Sequence, residues 1–89
     1  MIARKITYRG NFNDMALGAI YDITRKIEIT GQVKGISPSE IELNLEGDAS
    51  MIKLVQHQIE REAKVKPLIS EKAIVQIPFQ NFVGVTLLN

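Results

Sequence analysis

The hydrophobic pattern of this chain switches between helical and strand period in a fixed order, and that order restricts the folds open to it. From Asp14 onward, Ala16, Ile20, Ile23 and Ile27 recur at helical spacing, with Leu17 and Tyr21 widening the stripe and Asp22, Arg25 and Lys26 on the wet side. Ile41, Leu43 and Leu45 then alternate with Glu42, Asn44 and Glu46, the period-two pattern of a strand with one buried and one solvated face. Helical spacing returns in Ile52, Val55, Ile59 and Ala63, with Asp48 placed to cap that helix and Pro67 to mark its end.

Shorter β-like runs fill the remaining positions. Ala3 to Tyr8 reads as a first strand with Ile6 and Tyr8 on one face, Gln32 to Ile36 as a second, and Ser37-Pro38-Ser39 as the turn of a hairpin. Ala73 to Ile77 and Phe82 to Leu87 are two further runs, separated by Pro78-Phe79-Gln80-Asn81. The element order is β-α-β-β-α-β with an extra C-terminal strand. Two helices on one face of a mostly antiparallel sheet bury both stripes at once, so the expected fold is α/β (α+β), a ferredoxin-like sandwich. Ile20, Ile23, Ile52, Val55 and Ile59 are the expected interlayer positions. With 89 residues there is room for one core, hence a single domain over residues 1–89.

Charge and composition remove several classes of function. Eleven Lys and Arg against ten Asp and Glu leave a net charge of +1, so no global field draws the chain to nucleic acid or acidic membranes. The paired sheet-face aromatics and basic strands of an RNA-recognition motif are missing as well. There is no cysteine, hence no disulfide, thiol nucleophile or thiolate metal site, which points to a reducing cytoplasm. The segment Met1-Ile2-Ala3-Arg4-Lys5 lacks an apolar run of signal-peptide length, and nowhere do about 18 apolar residues follow one another as a membrane span requires. His57 falls off the apolar stripe of its helix, and no second histidine or carboxylate cluster accompanies it at ligand spacing, so neither a metal nor a cofactor is expected.

The stretch from Tyr8 to Gly35 carries the functional signal. Tyr8-Arg9-Gly10 leads into Asn11-Phe12-Asn13-Asp14 and a helix, and a turn feeding a helix N-terminus gathers unpaired N–H groups that can hold an anion. With Thr30-Gly31-Gln32-Val33-Lys34, Leu45-Glu46-Gly47-Asp48, Pro67 and Phe82-Val83-Gly84-Val85, this order resembles the acylphosphatase family over nearly the whole chain. Those are small ferredoxin-like enzymes that hydrolyse the carboxyl–phosphate anhydride of acyl phosphates. Gly10 starts the family's phosphate-loop pattern Gly-x-Val-x-Gly-Val-x-Phe-Arg, with Phe12 at the first Val, Asp14 at the second Gly, Met15 at the next Val and Leu17 at the Phe. Gly18 falls on the Arg, and Gly35 falls where the family has Asn after Thr-Gly-x-Val-x.

The resemblance implies that an Arg grips the phosphoryl oxygens and an Asn orients the attacking water. Phosphoryl transfer depends on such positioning and charge stabilisation, and neither side chain is present at Gly18 or Gly35. Asp14 adds a negative charge where the loop would approach phosphate. The expectation is an acylphosphatase-like domain without catalytic residues, acting as a small binding or interaction module whose partner is an unidentified protein or a small anionic ligand. The alternative is a divergent acylphosphatase whose Arg and Asn roles are filled from elsewhere, for instance by Arg9 swinging over the loop.

Gly10, Asn11, Phe12, Asn13, Asp14, Met15, Ala16 and Leu17 form the candidate anion loop, although helix capping by Asn13 or Asp14 also explains that composition. Ser37 and Ser39 read as turn residues, Lys64, Lys66 and Lys72 as a solvated basic cluster or a surface for an acidic partner, and Phe79 and Phe82 as core or edge cover. The C-terminal strand, rich in Val and Leu, can pair edge to edge, so the chain is expected as a monomer or an edge-strand dimer.

Overall fold

The computed structural model describes residues 1–89. Strand β1 runs Ile2–Gly10, helix α1 Asp14–Arg25, β2 Thr30–Ser37, β3 Glu40–Gly47, helix α2 Ala49–Arg61, β4 Ile69–Gln76 and β5 Val85–Leu88, with a 3₁₀ turn at Lys66–Leu68 before β4. The sheet order is β4-β1-β3-β2-β5. All neighbours pair antiparallel except β2 and β5, which run parallel. The result is the expected ferredoxin-like α+β sandwich with an additional C-terminal strand.

The alternation in β3 decides what the sheet buries. Ile41, Leu43 and Leu45 point toward the helices, where they meet Ile6 and Tyr8 of β1, Val33 of β2, Ala16 and Ile20 of α1, and Ile52, Val55 and Ile59 of α2, all buried. Four of the five expected interlayer positions are therefore buried. Ile23 is only half-buried, because Thr24 takes the inward place at that end of α1. The Thr24 hydroxyl donates to the Ile20 carbonyl at 2.7 Å, which leaves no polar atom unpaired inside. Ile27 lies beyond the end of α1 and packs on the core from the following turn.

Helix α2 departs from its expected ends. Asp48 stands at the N-cap position, but its side chain makes no capping bond; its carbonyl accepts from the Met51 and Ile52 N–H groups instead. The helix stops at Arg61, and Ala63 is exposed. Val65 closes the core in its place, because the chain turns back toward the sheet before Pro67.

β4 begins at Ile69, four residues ahead of the expected Ala73, and β5 begins at Val85 rather than Phe82. Both shifts follow from pairing that local β-propensity does not encode: β1 extends to Gly10 and recruits Ile69, while residues 77–84 are drawn across the sheet's second face. Gly10 makes the first of these contacts possible. A Cβ there would overlap the Leu68 carbonyl oxygen, so only glycine lets the two backbones approach.

The second face is not simply solvated. Asn44 and Glu46, expected on the wet side of β3, are 3% and 4% exposed. Asn44 Nδ2 donates to the Glu42 carboxylate at 2.9 Å, and the segment after β4 crosses at Glu46, whose carboxylate accepts from three consecutive backbone N–H groups of Gln80, Asn81 (3.2 Å) and Phe82 (3.1 Å). Asn81 at φ 58° and Gly84 at φ 67° bend the chain so that these donors converge. Phe79, in the same segment, is 51% exposed rather than core, and Phe82 is half-buried.

At the opposite end, one carboxylate ties three elements together. Glu60 of α2 accepts from the Tyr8 hydroxyl at 2.9 Å and from Lys72 Nζ of β4 at 2.7 Å. Burial, the largest influence on Glu60, acts to raise its pKa; bonds from Lys72, Tyr8 and Gln56 and the Lys72 charge outweigh it and hold the carboxyl below the ordinary glutamate range. Burial first, then the Glu60 charge and hydrogen bond, push the Tyr8 phenol upward. A carboxylate with a depressed folded pKa contributes stability above its unfolded pKa and loses it as the pH falls through the folded value. Urea midpoints of the wild type should therefore drop below about pH 4, and Glu60→Gln should flatten part of that acid limb while lowering stability near neutrality. Parallel limbs in the two proteins would contradict the assignment.

Candidate functional site

The residues that resemble a phosphate loop fold into something shorter. Asn13 occupies the N-cap of α1 in extended conformation, and its Oδ1 accepts from the Ala16 N–H at 2.8 Å. The helix thus begins at Asp14, so only Asn11, Phe12 and Asn13 separate it from β1. Their backbone is stitched inward. The N–H groups of Gly10, Asn11 and Phe12 donate to the carbonyls of Ser39 (3.0 Å), Leu68 (3.1 Å) and Pro38 (2.7 Å), and the Leu17 N–H donates to the Asn13 carbonyl at 3.2 Å. A loop that cradles an anion must aim its N–H groups at the ligand, and these five donors, Ala16 included, are committed to the protein itself. What is left is an ordinary helix N-terminus, where Asp14 already supplies a negative charge.

Beside this loop lies a cavity of about 320 Å³ lined by nine residues, among them Phe12, Asn13, Asp14, Leu17, Gly35 and Ser37. Pro38, Ile41 and Asn89 complete its wall. The tertiary structure therefore brings together Phe12, Asn13, Asp14, Leu17 and Gly35 of the predicted site. It leaves out Gly10 and Asn11, which lie against the Ser39 and Leu68 backbone, Met15, which is 65% exposed, Ala16, which is fully in the core, and Gly18.

Gly18 sits in the body of α1, one residue beyond Leu17, and a Cβ there would meet nothing within 4 Å. Glycine at that place costs helix stability without relieving any contact. Gly18→Ala should therefore stabilise the fold by about 0.5–1 kcal/mol. Chemical denaturation decides it; a loss of stability would mean that the position has a packing partner. Gly35 is different: a Cβ there would come within 2.9 Å of Leu17 Cδ2. The Leu17 side chain thus lies over the position from which an asparagine would have to project.

No Lys, Arg or His lines the cavity, and Asp14 is its one ionisable side chain. Arg9 is occupied elsewhere, 3.3 Å from Glu40 and 3.9 Å from Glu71 on the second face. Ser37 and Ser39 share a hydrogen bond at 3.0 Å in an exposed turn, with neither a histidine nor a carboxylate among their hydrogen-bond partners. His57 is exposed on α2. Lys72 is engaged by Glu60, and no group of three His, Asp or Glu side chains stands close enough to hold a metal ion. No helix is long and apolar enough to cross a membrane.

Ser37, Pro38, Ile41 and Asn89 also line this cavity, although their local sequence does not mark them for it. The hairpin turn enters it because Phe12 bonds to Pro38. Asn89 enters because β5 runs parallel to β2, which carries the chain end toward Gly35. Neither pairing leaves a local signal.

No protein-family profile and no curated protein matches this chain. Solved structures do. An acylphosphatase from Bacillus subtilis superposes over 100% of both chains with a TM-score of 0.84 at 11% identity. An acylphosphatase from Coxiella burnetii gives 0.82 at 15% identity, over 97% of this chain and 90% of that one. HypF of T. kodakarensis gives 0.80 at 20% identity, over all of this chain but only 12% of HypF. Shape is shared while most side chains differ, and on these grounds the chain has an acylphosphatase-like form of the ferredoxin-like fold.

Proposed function

We propose that this domain binds rather than catalyses: a small interaction module on an acylphosphatase-like scaffold, without acyl phosphate hydrolysis. One observation carries the reading. The cavity where the resemblance would put the reaction holds Asp14, Leu17 and Gly35 and no cationic side chain. A phosphoryl group brings negative charge that grows at the transferring oxygens, and removing a single donor of the kind that stabilises it costs about 10²–10³ in rate. Here the cation and the water-orienting amide are both missing from their positions, and the N–H groups of Gly10, Asn11 and Phe12 are turned inward. The partner would be a protein or a small anionic ligand, met in a reducing cytoplasm in keeping with a chain that contains no cysteine.

Hydrolysis of a simple acyl phosphate by the purified wild type tests this directly. The expected rate is no faster than buffer, and titration with inorganic phosphate should give no clustered, saturable amide shifts in residues 11–17 at sub-millimolar concentration. Saturable turnover that survives rigorous purification would instead establish a divergent acylphosphatase with its cation and water-orienting group supplied from elsewhere.

A further inference from the structure

We infer that the free edge of β4 is a self-association surface, on which a second copy of this chain pairs antiparallel about a dyad at Ile74. β4 pairs only with β1 and so presents an open row of backbone donors and acceptors. From Ser70 to Gln76 every residue is exposed, including Ile74 at 43% and Val75 at 50%. Edges are ordinarily guarded by proline, by bulges or by charges that project outward. From Glu71 to Gln76 the ladder with β1 is regular and contains no proline. The two charges present both precede Ala73 and are ion-paired, Lys72 with Glu60 at 2.7 Å and Glu71 with Arg9 at 3.9 Å, so that residues 73–76 carry no charge. The central Ala73-Ile74-Val75 is left unguarded.

The identity of the occupant comes from the register. β4 residues opposite Tyr8 and Ile6, namely Lys72 and Ile74, lie on the helix side of the sheet; Glu71, Ala73 and Val75, opposite Arg9, Thr7 and Lys5, lie on the other. Two copies related by a dyad normal to the sheet must pair residues that share a side. A dyad at Glu71 sets Glu71 against its own copy, and a dyad at Lys72 does the same with lysine, so like charges exclude both registers. A dyad at Ala73 faces Lys72 with Ile74 and Glu71 with Val75. A dyad at Ile74 pairs Ile74 with Ile74 on the helix side and Ala73 with Val75 on the other, and leaves Lys72 opposite the neutral Gln76. It matches apolar surface on both faces of the continued sheet and opposes no like charges.

The chain has no cysteine, so single thiols report the register cleanly. Sedimentation of the wild type from micromolar to millimolar concentration should show a reversible dimer at twice the 10.0 kDa chain mass. Directly opposed residues lie about 5 Å apart at Cβ, so Ile74→Cys should cross-link to itself under mild oxidation at least about tenfold faster than Lys72→Cys or the opposite-edge control Leu88→Cys. Ile74→Lys, a change at an exposed site, should abolish the dimer and keep the wild-type far-UV spectrum. A chain that stays monomeric throughout, cross-linking that favours Leu88 or Lys72, or a dimer unaffected by Ile74→Lys would each overturn the proposal. The acyl phosphate assay is independent of all three outcomes.

Discussion

Replacing Glu46 with leucine should cost the fold about 2–4 kcal/mol and release residues 77–84 from the sheet, because three backbone N–H groups lose a shared acceptor at once. Each buried donor left unpaired costs about 1–3 kcal/mol, but the segment can swing into water and recover part of that, so the sum falls short of three full penalties. Leucine preserves the bulk under the segment and removes only its acceptor. Amide exchange is the informative readout. Gln80, Asn81 and Phe82 should lose protection together, and Gly31, whose N–H donates to the Gly84 carbonyl at 3.0 Å, should follow. Amides of β1 and β3 should exchange only through global opening. A change under about 1 kcal/mol with residues 80–82 still protected would show that the segment is held by its apolar side chains, and that Glu46 merely fills the space.

Attempted repair of the cavity should succeed only in stages. Gly18→Arg enters open space, whereas Gly35→Asn drives its Cβ against Leu17 Cδ2 at 2.9 Å and must displace that side chain. Asp14 would remain beside the cavity to pair with the new arginine and to repel a phosphoryl group. We expect the double variant to hydrolyse a simple acyl phosphate barely above background. Adding Asp14→Gly should raise the rate, and adding Leu17→Ala should raise it again by clearing the asparagine's path; Leu17 abuts Gly35 and Asp14 would pair with the new arginine, so these effects should not be additive. Each recovered donor is worth about 10²–10³ in rate at most. Efficient hydrolysis by the unmodified chain, with no gain along this series, would place the catalytic residues elsewhere and refute the binding-module reading.

Much of the architecture could be read from residue order because it rests on local periodicity. The stripe Ile52, Val55 and Ile59 and the alternation Ile41, Leu43 and Leu45 each need a single partner layer, and a sheet with both helices on one face satisfies them together. The glycines at 18 and 35 were also legible as missing side chains, since a side chain's absence is a property of sequence alone.

What only the tertiary structure decided depends on groups far apart in the chain. Glu46 sits in an alternating strand and reads as solvated; it is buried because a segment more than thirty residues later folds over it and offers three donors. Ile23 fits the helical stripe, yet Thr24 fills the inward place because its hydroxyl finds the Ile20 carbonyl. The candidate loop has the composition of an anion cradle, but Ser39, Leu68 and Pro38 take up the N–H groups of Gly10, Asn11 and Phe12. Composition limits which partners a polar group can accept. The three-dimensional path of the chain determines which of them arrives first, since a backbone donor buried without water must bond to whatever carbonyl or carboxylate the fold brings within reach.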